Sequence, residues 1–230
     1  ILLLLPFSLM AQIKYDELVR EMQTQSTNVA FYNYQKFQKQ SPEIGNVYFQ
    51  MGLISYEYLK NVNPIIDYNS FEYYAYNAKL YFESALHFAD DAEIRKHAEF
   101  YKELSATGKK LKYEDLKNYI IPRLDTIEYL SKNGTILYEN YSRLFFNYDR
   151  CISLFYQFNE KYSNVNEALL LVDNSDIEIL KQLKVVSDSL DWDIEKYLEA
   201  LKKYEIKGYN PQFFFYDIVL YRVDGLCSVD

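Results

Sequence analysis

His87 and His97 are the two histidines of the chain, and imidazole is the side chain best suited to metal binding or proton transfer near neutral pH. Three carboxylates, Asp90, Asp91 and Glu93, lie between them, so these five side chains are candidate metal ligands. The sequence contains no HExxH motif and no closely spaced set of Cys and His. We therefore expect no metal ligands here and predict that His87 is a half-buried helix residue.

Patterns for other kinds of chemistry are missing from the sequence. Six glycines are too few for a Gly-rich phosphate-binding loop, and no serine occupies a nucleophile elbow. Carboxylate pairs are common, but none has the apolar setting that tunes a catalytic acid and base. The lysines and tyrosines of segment 109–119 fit a solvated helix face. We predict that the chain is not an enzyme and has no catalytic residue, no cofactor and no metal.

The composition predicts an all-α protein. Only 6 Gly and 5 Pro occur in 230 residues, whereas sandwiches, barrels and doubly wound folds need many tight turns. A formal net charge of −8 argues against a general nucleic-acid binder and against adsorption to an anionic membrane. The 25 Tyr and 15 Phe either reflect the codon usage of an AT-rich genome or form a contact surface, since Tyr is enriched at interfaces.

Residues 1–11, ILLLLPFSLMA, have the pattern of the end of a secretory signal peptide. The apolar run is too short to span a bilayer, and we expect cleavage between Ala11 and Gln12. The leader resembles those of Bacteroidetes-type bacteria, which implies a product in the periplasm or outside the cell. The alternative is a helix buried in the core.

Two stretches of the first hundred residues repeat one spacing of small, aromatic and helix-ending residues. The first set is Ala30, Tyr34, Phe37 and Pro42, and the second is Ala78, Phe82, Ala85 and Asp90. With Tyr48, Met51 and Gly52 between them, the pattern resembles the tetratricopeptide repeat (TPR). The resemblance implies antiparallel helical hairpins stacked as a TPR-like solenoid over residues 12–108. About 14 extra residues, 61–74, are either a loop or helix extensions.

In TPR proteins the first helix of each pair lines a concave groove that binds a partner segment. By register, the resemblance implies the partner-binding residues Tyr15, Val19, Met22, Gln23, Asn46, Phe49, Leu53, Tyr56 and Glu57. Some TPR domains bind the C-terminal carboxylate of a partner in this groove with cationic side chains. The corresponding positions here carry no cation, so we expect an apolar or aromatic partner segment rather than a carboxylate terminus. The alternative is that the next helices of the chain cover these side chains.

The rest of the chain predicts longer helices. We expect a helix over 91–107, with Asp90 and Asp91 at its start and Gly108 closing it. A second helix is expected from 112 to 131, which Pro122 kinks or restarts. Asn133-Gly134 predicts a turn before a long helix over 135–163. A hairpin follows, with one helix over about 165–190 and a second from Trp192 to Lys207. Residues 109–208 form either a bundle or a continuation of the solenoid. The apolar tail 209–230 is either a docked segment or the start of a further domain.

The function predicted from these patterns is a non-catalytic protein-protein interaction scaffold or adaptor in the cell envelope. Its partner is another protein or a peptide segment, with no nucleic acid and no integral membrane span. A glycan- or ligand-binding helical module is the first alternative, and the sensor part of a longer envelope protein is the second. Cys151 and Cys227 either form a disulfide in an oxidising compartment or remain thiols.

Overall fold

The computed structural model describes residues 15–104, 110–162 and 164–204. Within these ranges the chain is all-α, as the composition predicts, with eight α-helices, two short 3-10 helices and no strand. The α-helices are α1 (Tyr15–Met22), α2 (Thr27–Gln38), α3 (Gly45–Asn61), α4 (Tyr68–Phe88), α5 (Asp91–Lys96), α6 (Tyr113–Asn159), α7 (Val165–Leu171) and α8 (Asn174–Tyr204). The 3-10 helices are Ala98–Phe100 and Lys102–Leu104.

The described residues divide into two compact units. Unit 1 contains those up to Leu59 and Tyr74–Ile127, and unit 2 contains Lys60–Tyr73 and those from Glu128 onwards. The start of α6 belongs to unit 1 and the rest of this helix to unit 2. The domain boundaries expected at residues 108 and 208 stay predictions.

The repeated small and aromatic residues form the core of unit 1. Ala30, Tyr34 and Phe37 of α2 are buried, and Ala78, Phe82 and Ala85 of α4 are fully buried. The spacing therefore correctly identified the packed faces of these helices. Stacking as a solenoid and membership of the TPR family stay predictions.

Gly52 allows α3 to approach α4 closely. A Cβ atom at this position would lie 2.7 Å from Cδ1 of Phe82, well inside van der Waals contact. Gly45, the first residue of α3, also allows a close approach. A Cβ atom there would lie 2.8 Å from the backbone nitrogen of Ala89, the residue that follows α4. Small residues thus set the spacing of this helix pair, as the repeat pattern predicts.

The extra residues 61–74 are mostly helix. α3 ends at Asn61 and α4 begins at Tyr68, so a connection of six residues is followed by a helix extension. The Asp67 carboxylate accepts a hydrogen bond from the Ser70 backbone N–H at 3.0 Å, which stabilises the start of α4.

The predicted helix over 91–107 is wrong beyond its first turns. Asp90 caps α5 as expected, accepting from the backbone N–H groups of Ala92 at 2.8 Å and Glu93 at 2.7 Å. The chain leaves the α-helix at His97 and continues as 3-10 helix. This change of backbone lets Phe100 and Tyr101 enter the core, where both are buried.

The predicted turn at Asn133-Gly134 is wrong, because α6 is continuous through it. Gly134 is buried, and a Cβ there would lie 2.3 Å from Cζ of Phe71 and 3.1 Å from Cε2 of Tyr204. The glycine therefore provides space for two aromatic rings rather than a turn. The helix also continues through Pro122, where no new helix begins.

In unit 2, the second part of α6 packs antiparallel to α8. Tyr141 of α6 lies against Tyr197 of α8 with ring centroids 6.0 Å apart, and Tyr129 donates a hydrogen bond to the Lys203 carbonyl. The hairpin break predicted near residue 191 is wrong, because α8 continues through it and the break lies at α7 instead. None of the helices described combines the length and the hydropathy needed to cross a membrane.

Several predictions fall on residues outside the described ranges. These are the leader 1–11 with its cleavage site, the helix stop at Gly108 and the apolar tail 209–230. Pairing of Cys151 with Cys227 belongs here too, since only Cys151 is described. Cys151 is buried in α6.

Candidate functional site

The predicted groove residues Tyr15 and Asn46 lie in the core of unit 1. Tyr15 donates a hydrogen bond to the Asn46 side-chain carbonyl, and its ring lies 5.0 Å from His97 and 5.9 Å from Phe100. Asn46 in turn donates to the Phe100 carbonyl at 3.1 Å. Burial strongly raises the pKa of the Tyr15 hydroxyl, so it remains a neutral donor.

Phe49, Val19 and Met22 are also buried. Phe49 is 0% exposed, with ring centroids 5.2 Å from Tyr101 and 5.7 Å from Tyr119. Val19 and Met22 are 2% and 5% exposed. In this conformation the face predicted to bind a partner is covered by the chain's own 3-10 segment and by α6, which is the alternative that the sequence left open.

The other four predicted partner-binding residues remain at the surface. Gln23 and Glu57 are exposed, and Leu53 and Tyr56 are partly buried. The Tyr56 ring lies 6.2 Å from the Phe82 ring, so part of it packs on the core. Partner binding by these four residues stays a prediction, over a smaller surface than expected.

The histidines do not form a metal centre. His97 is 4% exposed with Nδ1 3.3 Å from the Asp16 carboxylate, whereas His87 is exposed on the last turn of α4 rather than half-buried. Glu93 accepts hydrogen bonds from the Asn46 backbone N–H at 2.9 Å and from the Tyr101 hydroxyl at 2.7 Å. Within the ranges described, no group of three His, Cys, Asp or Glu could hold a metal ion.

Three strongly exposed leucines of unit 2 are consecutive. Leu169, Leu170 and Leu171 form the last turn of α7, which we call the leucine turn, and they are 75%, 84% and 62% exposed. Successive residues of an α-helix point about 100° apart, so three in a row span about 200° of its circumference. The leucine turn therefore projects from unit 2 instead of lying flat on it.

A cavity of about 320 Å³ lies directly beside the leucine turn. We call it the α7 cavity. Its walls come from the end of α6, from α7 and from the first turns of α8, and they are mostly apolar. The lining residues are Phe158, Asn159, Tyr162, Asn164, Ala168, Leu169, Val172 and Leu180. Its volume is at the lower end of the range of small-molecule sites, and it suits a few apolar side chains equally well.

Hydrogen bonds at the end of α6 and the start of α8 hold this region in place. Asp176 is 1% exposed and accepts hydrogen bonds from Lys161 and from the hydroxyl of Tyr162, a residue of the cavity wall. These two bonds, the Lys161 bond first, lower the pKa of Asp176. The bond to Asp176 raises the pKa of Tyr162 to about 12.

The first turns of α7 and α8 are capped as well. The Asn164 side chain accepts from the Glu167 backbone N–H at 3.0 Å, and Asp173 accepts from the backbone N–H groups of Ser175 and Asp176 at 2.7 and 3.0 Å. The leucine turn and the α7 cavity, together the α7 surface, are thus parts of a hydrogen-bonded structure.

A second polar cluster joins α6 to α8. Asp193 is 1% exposed and accepts from Arg143 Nε at 2.5 Å and from Asn147 at 2.6 Å. The Arg143 guanidinium carbon also lies 4.5 Å from the ring centre of Trp192, which is 51% exposed. This cluster fixes the two helices to each other.

No protein-family model, curated protein or solved structure matches the chain.

Sequence reasoning missed the α7 surface. The signal was present, because Leu169, Leu170 and Leu171 follow Ala168 and precede Val172, and five consecutive apolar residues cannot all face one side of a helix. Periodicity alone suggested an ordinary amphipathic helix over 165–190.

Proposed function

We propose that the chain is a non-catalytic helical protein-interaction module whose contact site is the α7 surface. The observation that carries the proposal is a projecting leucine turn next to an apolar cavity. Burying one leucine from water contributes about 1.5–3 kcal/mol, so three exposed leucines supply the free energy of a specific contact. Exposed contiguous apolar patches of this kind are typical of interaction sites.

The chemistry of the α7 surface indicates a polypeptide partner with large apolar side chains. The cavity can receive such side chains, while the amides of Asn159 and Asn164 at its wall can bond to a partner backbone. This proposal moves the contact from the predicted groove, most of which is buried, to unit 2. A role in the cell envelope remains part of the proposal, and its support is the leader-like sequence of residues 1–11.

The glycan alternative is less well supported. Sugar rings stack on an open aromatic face, and Trp192 is the side chain best suited to this in unit 2. Because the Arg143 guanidinium lies 4.5 Å from its ring centre, a sugar would first have to displace that cation from the ring. The sensor alternative depends on residues outside the described ranges and stays a prediction.

Affinity capture with matched variants tests the proposed site. The tagged full chain, Leu170→Asp and Val185→Asp are each incubated with envelope extract of the source organism. Val185 is 66% exposed on α8 and does not line the cavity, so it controls for a new surface charge. We expect one protein to be retained by the wild type and by Val185→Asp, and at least about 100-fold less of it by Leu170→Asp.

Retention by all three proteins would contradict the α7 site, and Glu57→Arg would then test what remains of the predicted groove. If no protein is retained by any of the three, protein interaction as the function is overturned.

A further inference from the structure

We infer that the partner bound at the α7 surface is a second copy of this chain, an inference that rests on the proposed function. In the dimer, the leucine turn of each copy inserts into the α7 cavity of the other. The shape of this surface, its cavity volume and its apolar area support a second copy as the partner.

The shape is self-complementary. A two-fold interface brings the same patch of both copies together, so it must carry each feature and its complement side by side. Leu169 belongs to the leucine turn and also lines the α7 cavity, so the projecting element and the recess are adjacent. An unrelated partner would require only one of these two features.

The volumes are also compatible. Truncation of one core leucine leaves a cavity of about 150 Å³. A cavity of about 320 Å³ therefore accommodates about two leucine side chains. Leu170 and Leu171 are the two residues of the leucine turn that do not line the cavity of their own copy, so both are available to a second copy.

The apolar area reaches the size that a dimer needs. The leucine turn continues into Val172, Ile177 and Leu180, which are 37%, 41% and 38% exposed. Together the six residues expose roughly 500–650 Å², at roughly 150–200 Å² for a large side chain. Two copies would bury about twice that area, which passes the roughly 1,000 Å² expected of a specific interface.

Two ion pairs near the α7 surface are made within each copy. Lys161 pairs with the buried Asp176, and Lys181 pairs with Glu178 at 3.7 Å. Two copies that each carry a net charge of −8 repel each other at long range. The free energy of association must therefore come from burial of the apolar surface rather than from charge pairing.

Sedimentation equilibrium of the purified full chain, with no other protein present, tests the inference between about 1 and 100 µM. We expect a mass of twice 27.5 kDa for the wild type and for Val185→Asp. Leu170→Asp should raise the dimer dissociation constant at least about 100-fold, because an inserted leucine becomes a charge. All variants share residues 1–14, so any association through that segment is common to them. Circular dichroism should show unchanged helix content, since Leu170 is 84% exposed.

A second variant separates insertion from simple face-to-face contact of leucines. Ala168→Trp fills the α7 cavity but leaves the leucine turn in place, and we expect it to be monomeric. A mixture of Ala168→Trp and Leu170→Asp should form heterodimers, because one intact leucine turn then meets one intact cavity. A dimeric Ala168→Trp variant would overturn insertion.

A wild type that is monomeric at 100 µM, or a dimer that survives Leu170→Asp, would overturn the inference. If the wild type is monomeric but captures a different protein in a Leu170-dependent manner, the proposed function stands and only the second-copy partner fails. If both experiments are negative, the proposed function fails as well.

Discussion

At the scale of single residues, two buried carboxylates of α8 hold it against α6. Asp176 and Asp193 are each 1% exposed, and each accepts hydrogen bonds from two side chains of α6 or the residues that follow it. A buried charge is tolerated when it is paired and hydrogen-bonded in this way. Asp176 lies in the first turn of α8 and Asp193 beyond its middle, so the two positions fix both the register and the orientation of the helix pair.

Asp176 makes the stability of unit 2 depend on pH in the acidic range. Its pKa is lowered in the folded protein by the Lys161 bond first and the Tyr162 bond second, whereas an unfolded Asp titrates near about 3.9. The unfolded chain therefore takes up the proton first, so this stabilisation is complete above about pH 4 and is lost as the pH falls toward the folded pKa. We expect the urea midpoint, followed by Trp192 fluorescence, to fall between pH 5 and pH 2.5, and less so in Asp176→Asn.

Tyr162→Phe provides the matched comparison, because it removes one donor and keeps the ring in the cavity wall. The pKa of Asp176 should rise in this variant, so the acid-induced loss of stability should begin at a higher pH. Identical acid profiles for the wild type and both variants would show that Asp176 is not the group responsible.

At the scale of elements, Gly134 has a packing role in the middle of α6. A glycine in a helix interior normally lowers stability by about 1 kcal/mol relative to alanine. Here a Cβ would lie 2.3 Å from Cζ of Phe71, a ring that is 0% exposed and cannot move into solvent. We therefore expect Gly134→Ala to lower the free energy of unfolding, measured in urea, by about 1–3 kcal/mol. The steric clash thus outweighs the higher helix propensity of alanine.

A double-mutant cycle controls for this prediction. Phe71→Leu removes the ring atoms that the new methyl group would meet, so the double variant should lose less than the sum of the single losses. Strict additivity of the two losses, or a stabilised Gly134→Ala, would contradict the packing role.

Local pattern predicted most elements of the fold and failed where a residue has two uses. The spacing of Ala30, Tyr34 and Phe37 correctly gave the buried face of α2, because helical periodicity is a local property. Asn133-Gly134 carries the same local signal whether the glycine turns the chain or makes room for a ring. Only Phe71, more than 60 residues away in the sequence, decides between them.

The predicted site was limited by the same kind of distant contact. Tyr15, Asn46 and Phe49 lie on helix faces that a two-helix repeat would leave open. Phe100, Tyr101 and Tyr119 cover them because the chain leaves the α-helix at His97. No periodic pattern in residues 91–107 signals that change, so the covered face could not be recognised from spacing alone.

At the scale of the whole molecule, dimerisation through the α7 surface predicts a concentration-dependent thermal stability. A tenfold rise in concentration favours the folded dimer by about 1.4 kcal/mol per dimer, or about 0.7 kcal/mol per chain. For a chain of 230 residues this raises Tm by about 2 °C. Calorimetry at 5, 50 and 500 µM should therefore show Tm increasing for the wild type and for Val185→Asp. In Leu170→Asp the Tm should be lower at 500 µM and constant over the series, because its unfolding does not include dissociation. A constant Tm for the wild type would contradict dimerisation and would mean that the leucine turn stays exposed to water. Each exposed leucine then forgoes about 1.5–3 kcal/mol of burial free energy, which only a different partner could supply.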